Sequence, residues 1–298
     1  MTTYYLLRVG SAASRVVPVR LLYALAALLA RAAALAPTSA RAAARTNIAR
    51  VLRQPANSLA VRRAAAAAFR YQALNYVDLM RLDRVTRADY EANVVHGDLT
   101  PLTDAVARGK GVIIVSAHLG NVDYVGQWLS LNGYSVHVPM EALKPAKLFT
   151  LVRRRREATG MRMYPVGSDD MRLLTSALRA GGVVAIIADR DTGNGGGGEP
   201  VEFFGARTAL PVGPALLALR TGAPIIASFG RRLPDNRLYV SVAPPVYVRR
   251  TRDLRADLRE GVQTIACLLE DGIKATPEQW IVFEPVWPRD TAEKDEAP

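Results

Sequence analysis

His118 and Asp123 are the residues whose types and spacing best suit acid–base chemistry. They stand in residues 111–124, GVIIVSAHLGNVDY. An imidazole titrates near neutrality, and a carboxylate bonded to one ring nitrogen leaves the other free to take a proton. A spacing of five does not match one helical face, where neighbours are three or four apart. A strand, a turn and a helix start match it better. Residues 112–115 are apolar and β-branched, as in a buried parallel strand. His118 then falls in the turn, Asn121 is a plausible N-cap, and Asp123 sits in the first helical turn, where the helix dipole favours a carboxylate. On this geometry the turn folds back and Asp123 accepts from His118. Ligands of open α/β sheets gather beyond the carboxyl ends of strands, where His118 stands. No Ser lies in a G-x-S-x-G elbow, which argues against a hydrolase nucleophile.

A sheet is needed to hold these residues. Residues 135–140, 162–166, 183–188, 224–229 and 238–242 read as further strands. Helical stretches run over 59–82, 102–108, 123–131, 145–159, 211–220 and 254–273, and another reaches 179 from an N-cap at Ser168. Alternating strands and helices predict an α/β fold with a mostly parallel central sheet flanked by helices. Residues 193–198, GNGGGG, read as a flexible loop, and 291–298 as a polar, disordered tail.

Half of the 298 residues are hydrophobic, enough for a substantial core, and 39 Lys and Arg against 27 Asp and Glu give a net charge of +12. Such an excess calls for an anionic partner: nucleic acid, an acidic membrane surface or phosphate-bearing substrates. A basic nucleic-acid-binding protein would explain the charge, but no recognition motif or aromatic platform supports it. Cys267 is the single cysteine, which excludes an intrachain disulfide, and three scattered histidines do not make a zinc site.

The N-terminus carries the apolar run RVVPVRLLYALAALLAR over residues 15–31. Its uncharged part, residues 21–30, is about half of what a spanning helix needs. Arg20 and Arg31 are about three turns apart and share one side. The reading adopted is a helix lying in the membrane interface, with arginines at headgroups and Leu21, Leu25, Leu28 and Leu29 inserted. A signal peptide, a true span and a core helix are the alternatives. The expected organisation is a basic, membrane-facing helical segment over 1–58, a catalytic domain over 59–290 and the tail.

The HLGNVD stretch resembles the His-x4-Asp signature of glycerolipid and lipid A acyltransferases. Its HxGN form resembles the bacterial lauroyl branch, which includes the phosphatidylinositol mannoside acyltransferases. Further matches follow in order: VHVPME over 136–141, the basic run ending at Arg156, Asp189-Arg190-Asp191, VEFFG over 201–205, and Pro277-Glu278-Gln279-Trp280, read as packing. The resemblance implies a glycerolipid-acyltransferase-like fold and transfer of a fatty acyl chain to a hydroxyl of a glycolipid or phospholipid. The donor would be acyl-CoA or acyl carrier protein, with no metal or bound cofactor. His118 and Asp123 would be the catalytic dyad.

The resemblance also places Asn121, Glu141, Arg156, Asp189, Arg190, Asp191 and Glu199 at donor or acceptor sites. Four successive arginines, 153–156, cover every side of a helix, so only one or two can meet phosphates. The glycine run and Pro200 depart from the family pattern around Glu199. The implied partners are anionic membrane lipids, the thioester donor and the lipid acceptor, not nucleic acid. The implied location is peripheral, on the cytoplasmic face of the cell membrane. Lipid A or lysophospholipid acylation is the nearest alternative; a lipid-binding protein without chemistry is the alternative from another class.

Overall fold

The structure is a computed structural model, and it describes residues 2–167, 169–191 and 197–287. The chain begins with four helices: α1 (Thr2–Ala13), α2 (Val19–Leu35), α3 (Ser39–Leu52) and α4 (Leu59–Arg81). Pro18 separates the first two, since it cannot donate to a continuing helix. Thr38 and Ser58 cap α3 and α4 by accepting from Arg41 N and Val61 N. Then follow α5 (Arg87–Asn93), β1 (Val94–His96), α6 (Thr100–Ala107), β2 (Val112–Ser116), α7 (Val122–Leu131) and β3 (Val136–Met140). Next come α8 (Ala146–Arg156), β4 (Arg162–Pro165), α9 (Asp170–Arg179) and β5 (Val183–Ile187). The hairpin strands β6 (Gly198–Phe203) and β7 (Ala206–Pro211) precede α10 (Gly213–Thr221), β8 (Ile225–Arg232), β9 (Leu238–Val242) and α11 (Leu254–Ala275).

Seven strands form one sheet in the order β1-β9-β8-β2-β5-β3-β4. Every pairing is parallel except β8 with β9. The expected α/β fold, with a mostly parallel sheet between helices, is therefore present. Strand β2 is buried along its whole length, because it lies between β5 and β8 and both its faces are covered. Alternate side chains go to opposite faces. Ile113, Val115 and Ala117 join a core with Leu178 of α9, Leu217 of α10 and Ile265 and Leu269 of α11. Ile114 joins the other core, with Tyr90 of α5, Leu102 of α6 and Trp128 and Leu129 of α7.

Some elements differ from the expectation. The stretch at 145–159 ends its α-helix at Arg156 and continues as a short 3-10 turn. Strand β1 and the β6–β7 hairpin carry no clear alternation and were not expected. Pro211 closes β7 opposite Gly198 instead of opening a helix; a proline is tolerated at the end of a two-stranded ribbon, where no further ladder bond is required. The capping role of Ser168, most of the glycine-rich loop and the tail over 291–298 lie outside the described residues.

The N-terminal helices are present. Helix α2 packs along α4, as does α3. Leu21, Leu25, Leu28 and Leu29 of α2 remain 55–62% exposed. Among the described residues no single helix is long and apolar enough to cross a membrane; α2 and α3 together pass that test by length and composition, but are bent by 88° at their junction.

Candidate active site

Strand register brings His118 to its partner. β2 and β5 pair in parallel from Val112 opposite Val183 to Ser116 opposite Ile187. The same offset, continued two residues past the strand ends, sets His118 beside Asp189. The bonds are direct. His118 Nδ1 lies 2.7 Å from Asp189 Oδ1, and the His118 amide donates to Asp189 Oδ2 at 2.9 Å. The indole Nε1 of Trp280 donates to the same oxygen at 2.7 Å. Asp189 is fully buried. Burial by itself would raise its pKa, but the His118 charge and the bonds from His118 and Trp280 outweigh it and hold the carboxyl below its ordinary range. An ionised Asp189 favours the Nδ1–H tautomer and leaves Nε2 able to take a proton. His118 lines a cavity of about 810 Å³.

This geometry corrects the expected dyad. Asp123 does stand in the first turn of α7, behind the Asn121 N-cap. Its carboxylate, however, pairs with Arg156 of α8: Nε lies 2.7 Å from Oδ1, and Nη2 donates to Oδ2 at 3.1 Å. The turn does not fold back onto His118, because the neighbouring strand end already supplies an acid. Both Asp123 and Arg156 line the cavity.

Asn121 is corrected as well. It is 3% exposed; Oδ1 accepts from the Tyr124 amide at 3.1 Å, and Nδ2 donates to Asp78 at 2.7 Å. With both ends of its amide engaged inside the protein, and outside the cavity lining, it does not face a substrate. Glu199 lies in the hairpin opposite Leu210, also outside the lining, although Gly197 and Pro211 at the base of the same hairpin are part of it. Glu141, Arg190 and Asp191 do line the cavity, and Arg190 is ion-paired with Glu284. Asp189 is not a ligand contact but the acid behind His118. Trp280 packs against Phe203, Phe204 and Trp287 as expected of the closing motif, yet its indole nitrogen also serves the site.

The cavity has two characters. On the side covered by α7 it is apolar, with Ile114, Val125, Leu129, Met140, Met161 and Met163. The charged Glu141, Arg156, Asp170, Arg190 and Asp191 also line it. Gly126 of α7 keeps room beside Met161, whose sulfur would lie 2.7 Å from an added Cβ. Among the described residues no group of three or more His, Cys, Asp or Glu could hold a metal ion. The arrangement offers an imidazole with one nitrogen left to take a proton, an apolar enclosure and charged groups in its lining.

Two contributors were missed in the sequence, Asp78 and Arg232. They form a buried ion pair, 6% and 2% exposed at the side chain. One signal was available: Asp78 is the sole acid in the 23 residues of α4.

Over residues 1–289 the chain matches the family described as bacterial lipid A biosynthesis acyltransferase. It is 31% identical over 234 residues to a phosphatidylinositol mannoside acyltransferase of Mycobacterium tuberculosis, covering 77% of this chain and 68% of that protein. A protein of the same name from Mycolicibacterium smegmatis is 27% identical over 206 residues, with 67% and 64% covered. A family match along nearly the whole chain, joined by a relative 31% identical over 77% of it, identifies the chain as an acyltransferase and a member of the bacterial lipid A biosynthesis acyltransferase family.

Proposed function

We propose that this acyltransferase moves a fatty acyl chain from a thioester, acyl-CoA or acyl carrier protein, to a hydroxyl of a phosphatidylinositol-mannoside-like glycolipid. The observation that carries the reading is the His118–Asp189 pair opening on a largely apolar cavity. His118 Nε2 takes the proton of the acceptor hydroxyl as its oxygen attacks the thioester carbonyl. The tetrahedral species collapses, the C–S bond breaks, and the imidazolium returns the proton to the departing thiolate. Asp189 holds the ring and stabilises its cationic form. The apolar wall suits the acyl chain, and Arg156 and Arg190 stand where phosphates or sugar hydroxyls would arrive. The names of these relatives favour a mannoside of phosphatidylinositol over lipid A as acceptor. The test is incubation with labelled acyl-CoA and, separately, labelled acyl carrier protein, each with phosphatidylinositol mannoside, lysophospholipid or a lipid A precursor. Label is expected in the mannoside; transfer to neither glycolipid nor phospholipid would overturn the reading.

The proposed location is peripheral, on the cytoplasmic face of the cell membrane. The exposed leucines of α2 supply an apolar face, and Leu6 and Val9 of α1 are 62% and 68% exposed. Arg45 has its pKa lowered by partial desolvation and by the charges of Arg41 and Arg62, so three cations repel one another where an anionic surface would relieve them. Each such arginine adds about 1 kcal/mol near an anionic membrane, and salt screens that part alone. The protein is expected to sediment with anionic vesicles, to be partly released by high salt and to bind neutral vesicles weakly. Extraction by detergent alone, with resistance to salt and alkaline carbonate, would show a span instead.

A further inference from the structure

The turn that follows His118 is held from behind by one buried carboxylate. Asp78 of α4 accepts from Asn121 Nδ2 at 2.7 Å and is ion-paired with Arg232 at the end of β8. Its other oxygen accepts from the Tyr23 hydroxyl of α2. One helical turn earlier, Asn75 donates to the Gly120 carbonyl and accepts from Arg232 Nη2 at 3.2 Å. The rest of the turn is equally engaged. Gly120 N donates to the Gln279 carbonyl at 3.1 Å, Asn121 N to the Gly230 carbonyl at 3.0 Å, and Ile281 N to the His118 carbonyl at 2.7 Å. Gln279 in turn brackets Arg232, donating to its carbonyl at 2.8 Å and accepting from its amide at 2.7 Å.

Three chain segments distant in sequence thus meet at Asp78, and one of them is the helix with the exposed leucine face. Loss of the Tyr23 hydroxyl leaves one carboxylate oxygen without this donor, and the group is then held through the other oxygen, by Asn121 and Arg232. Burial, followed by the Asp78 charge, raises the pKa of Tyr23, so its hydroxyl stays a donor.

We propose that Asp78 and Tyr23 are positioning residues for the transfer reaction, so that α2 is part of the frame that aims His118 as well as a membrane-facing helix. The inference rests on His118 acting as the base. Neither residue lines the cavity, so their effect falls on kcat and not on substrate affinity. A small misplacement of a base is costly because the reacting atoms must be aligned at contact distance.

The test uses the full chain. Asp78→Asn would leave the Arg232 guanidinium buried without its counter-charge and endanger folding, so Tyr23→Phe carries the experiment. Phe keeps the ring, which lies 5.7 Å from the Arg232 guanidinium carbon, and removes the hydroxyl alone. The expected result is a kcat lower by about 10-fold with KM for donor and acceptor unchanged, the size set by part of one charge-assisted hydrogen bond. The low-field proton resonance of His118 Nδ1–H, assigned by its loss in His118→Ala, should shift or broaden. Should Tyr23→Phe not fold, Asp78→Glu, which keeps a counter-charge for Arg232 while displacing the acceptor of Asn121, is read by the same criteria. A kcat within twofold of wild type, or a resonance that does not move, would overturn the proposal. The resonance is read without substrate. A wild type that transfers no acyl group therefore defeats the functional reading while the positioning effect is still measured.

Discussion

Asp189→Asn is expected to lower turnover about as far as His118→Ala, by roughly 10⁴-fold, because an amide in place of the acid leaves the imidazole in the wrong tautomer. The argument is geometric: Asp189 is the acceptor at His118 Nδ1, 2.7 Å away, and is held there by the Trp280 indole. Asp123→Asn should cost at least 10-fold less. Asp123 is bonded to Arg156, not to His118, so loss of its charge frees an arginine in the cavity lining and acts chiefly on KM. Steady-state kinetics of the three variants decide between the two acids. If Asp123→Asn were as severe in kcat as Asp189→Asn, the assignment of Asp189 as the orienting acid would fall. A second readout follows from linkage. The folded pKa of Asp189 is depressed, so its contribution to stability is present above the ordinary carboxylate pKa and is lost as pH falls through the lower folded value. Acid unfolding of Asp189→Asn, followed by circular dichroism, should therefore lack part of the wild-type steepness in that acidic window.

The fold was largely legible because its strands are short apolar runs bounded by glycine and turn residues. β2 and β5 are the plainest cases, with Val112–Ser116 and Val183–Ile187 paired in register. The same legibility placed His118 and Asp189 at the ends of two strands. What it could not supply was the lateral order of those strands, and that order makes them partners across 71 positions. Read along the chain alone, the nearer acid, Asp123, takes the role, since proximity in sequence is the available cue. The hairpin β6–β7 was hidden for another reason. Its residues follow no strict alternation, and its pairing is to itself and to α11 rather than to the main sheet. Asp78 was visible as the lone acid in the 23 residues of α4. Only the packing of α2 and β8 against α4 gives that anomaly a role.

Gly120→Ala is expected to damage both stability and turnover. Gly120 lies between the base and the N-cap of α7 with φ +62°, a left-handed conformation that costs an L-residue about 1–2 kcal/mol. The steric term is larger. An added Cβ would stand 1.7 Å from the Gly230 carbonyl oxygen and 2.7 Å from its carbon, both backbone atoms of β8 that cannot swing aside. Relief requires the turn to withdraw from β8. Withdrawal stretches the Gly120–Gln279 and Asn121–Gly230 backbone bonds and the Asn75 contact together. Overpacking and strain on this scale place the loss at about 4 kcal/mol, near the upper end for single substitutions. At about 2–4 °C per kcal/mol for a chain of this size class, the melting midpoint should fall by roughly 10 °C, measurable by calorimetry. Turnover at a temperature where the variant remains folded should fall by about 100-fold, because the turn sets the position of His118 and a displacement near 1 Å is enough for such a loss. A midpoint within about 2 °C of wild type would mean that the turn yields without strain. The close seating of Gly120 on β8 would then not be what holds the base in place.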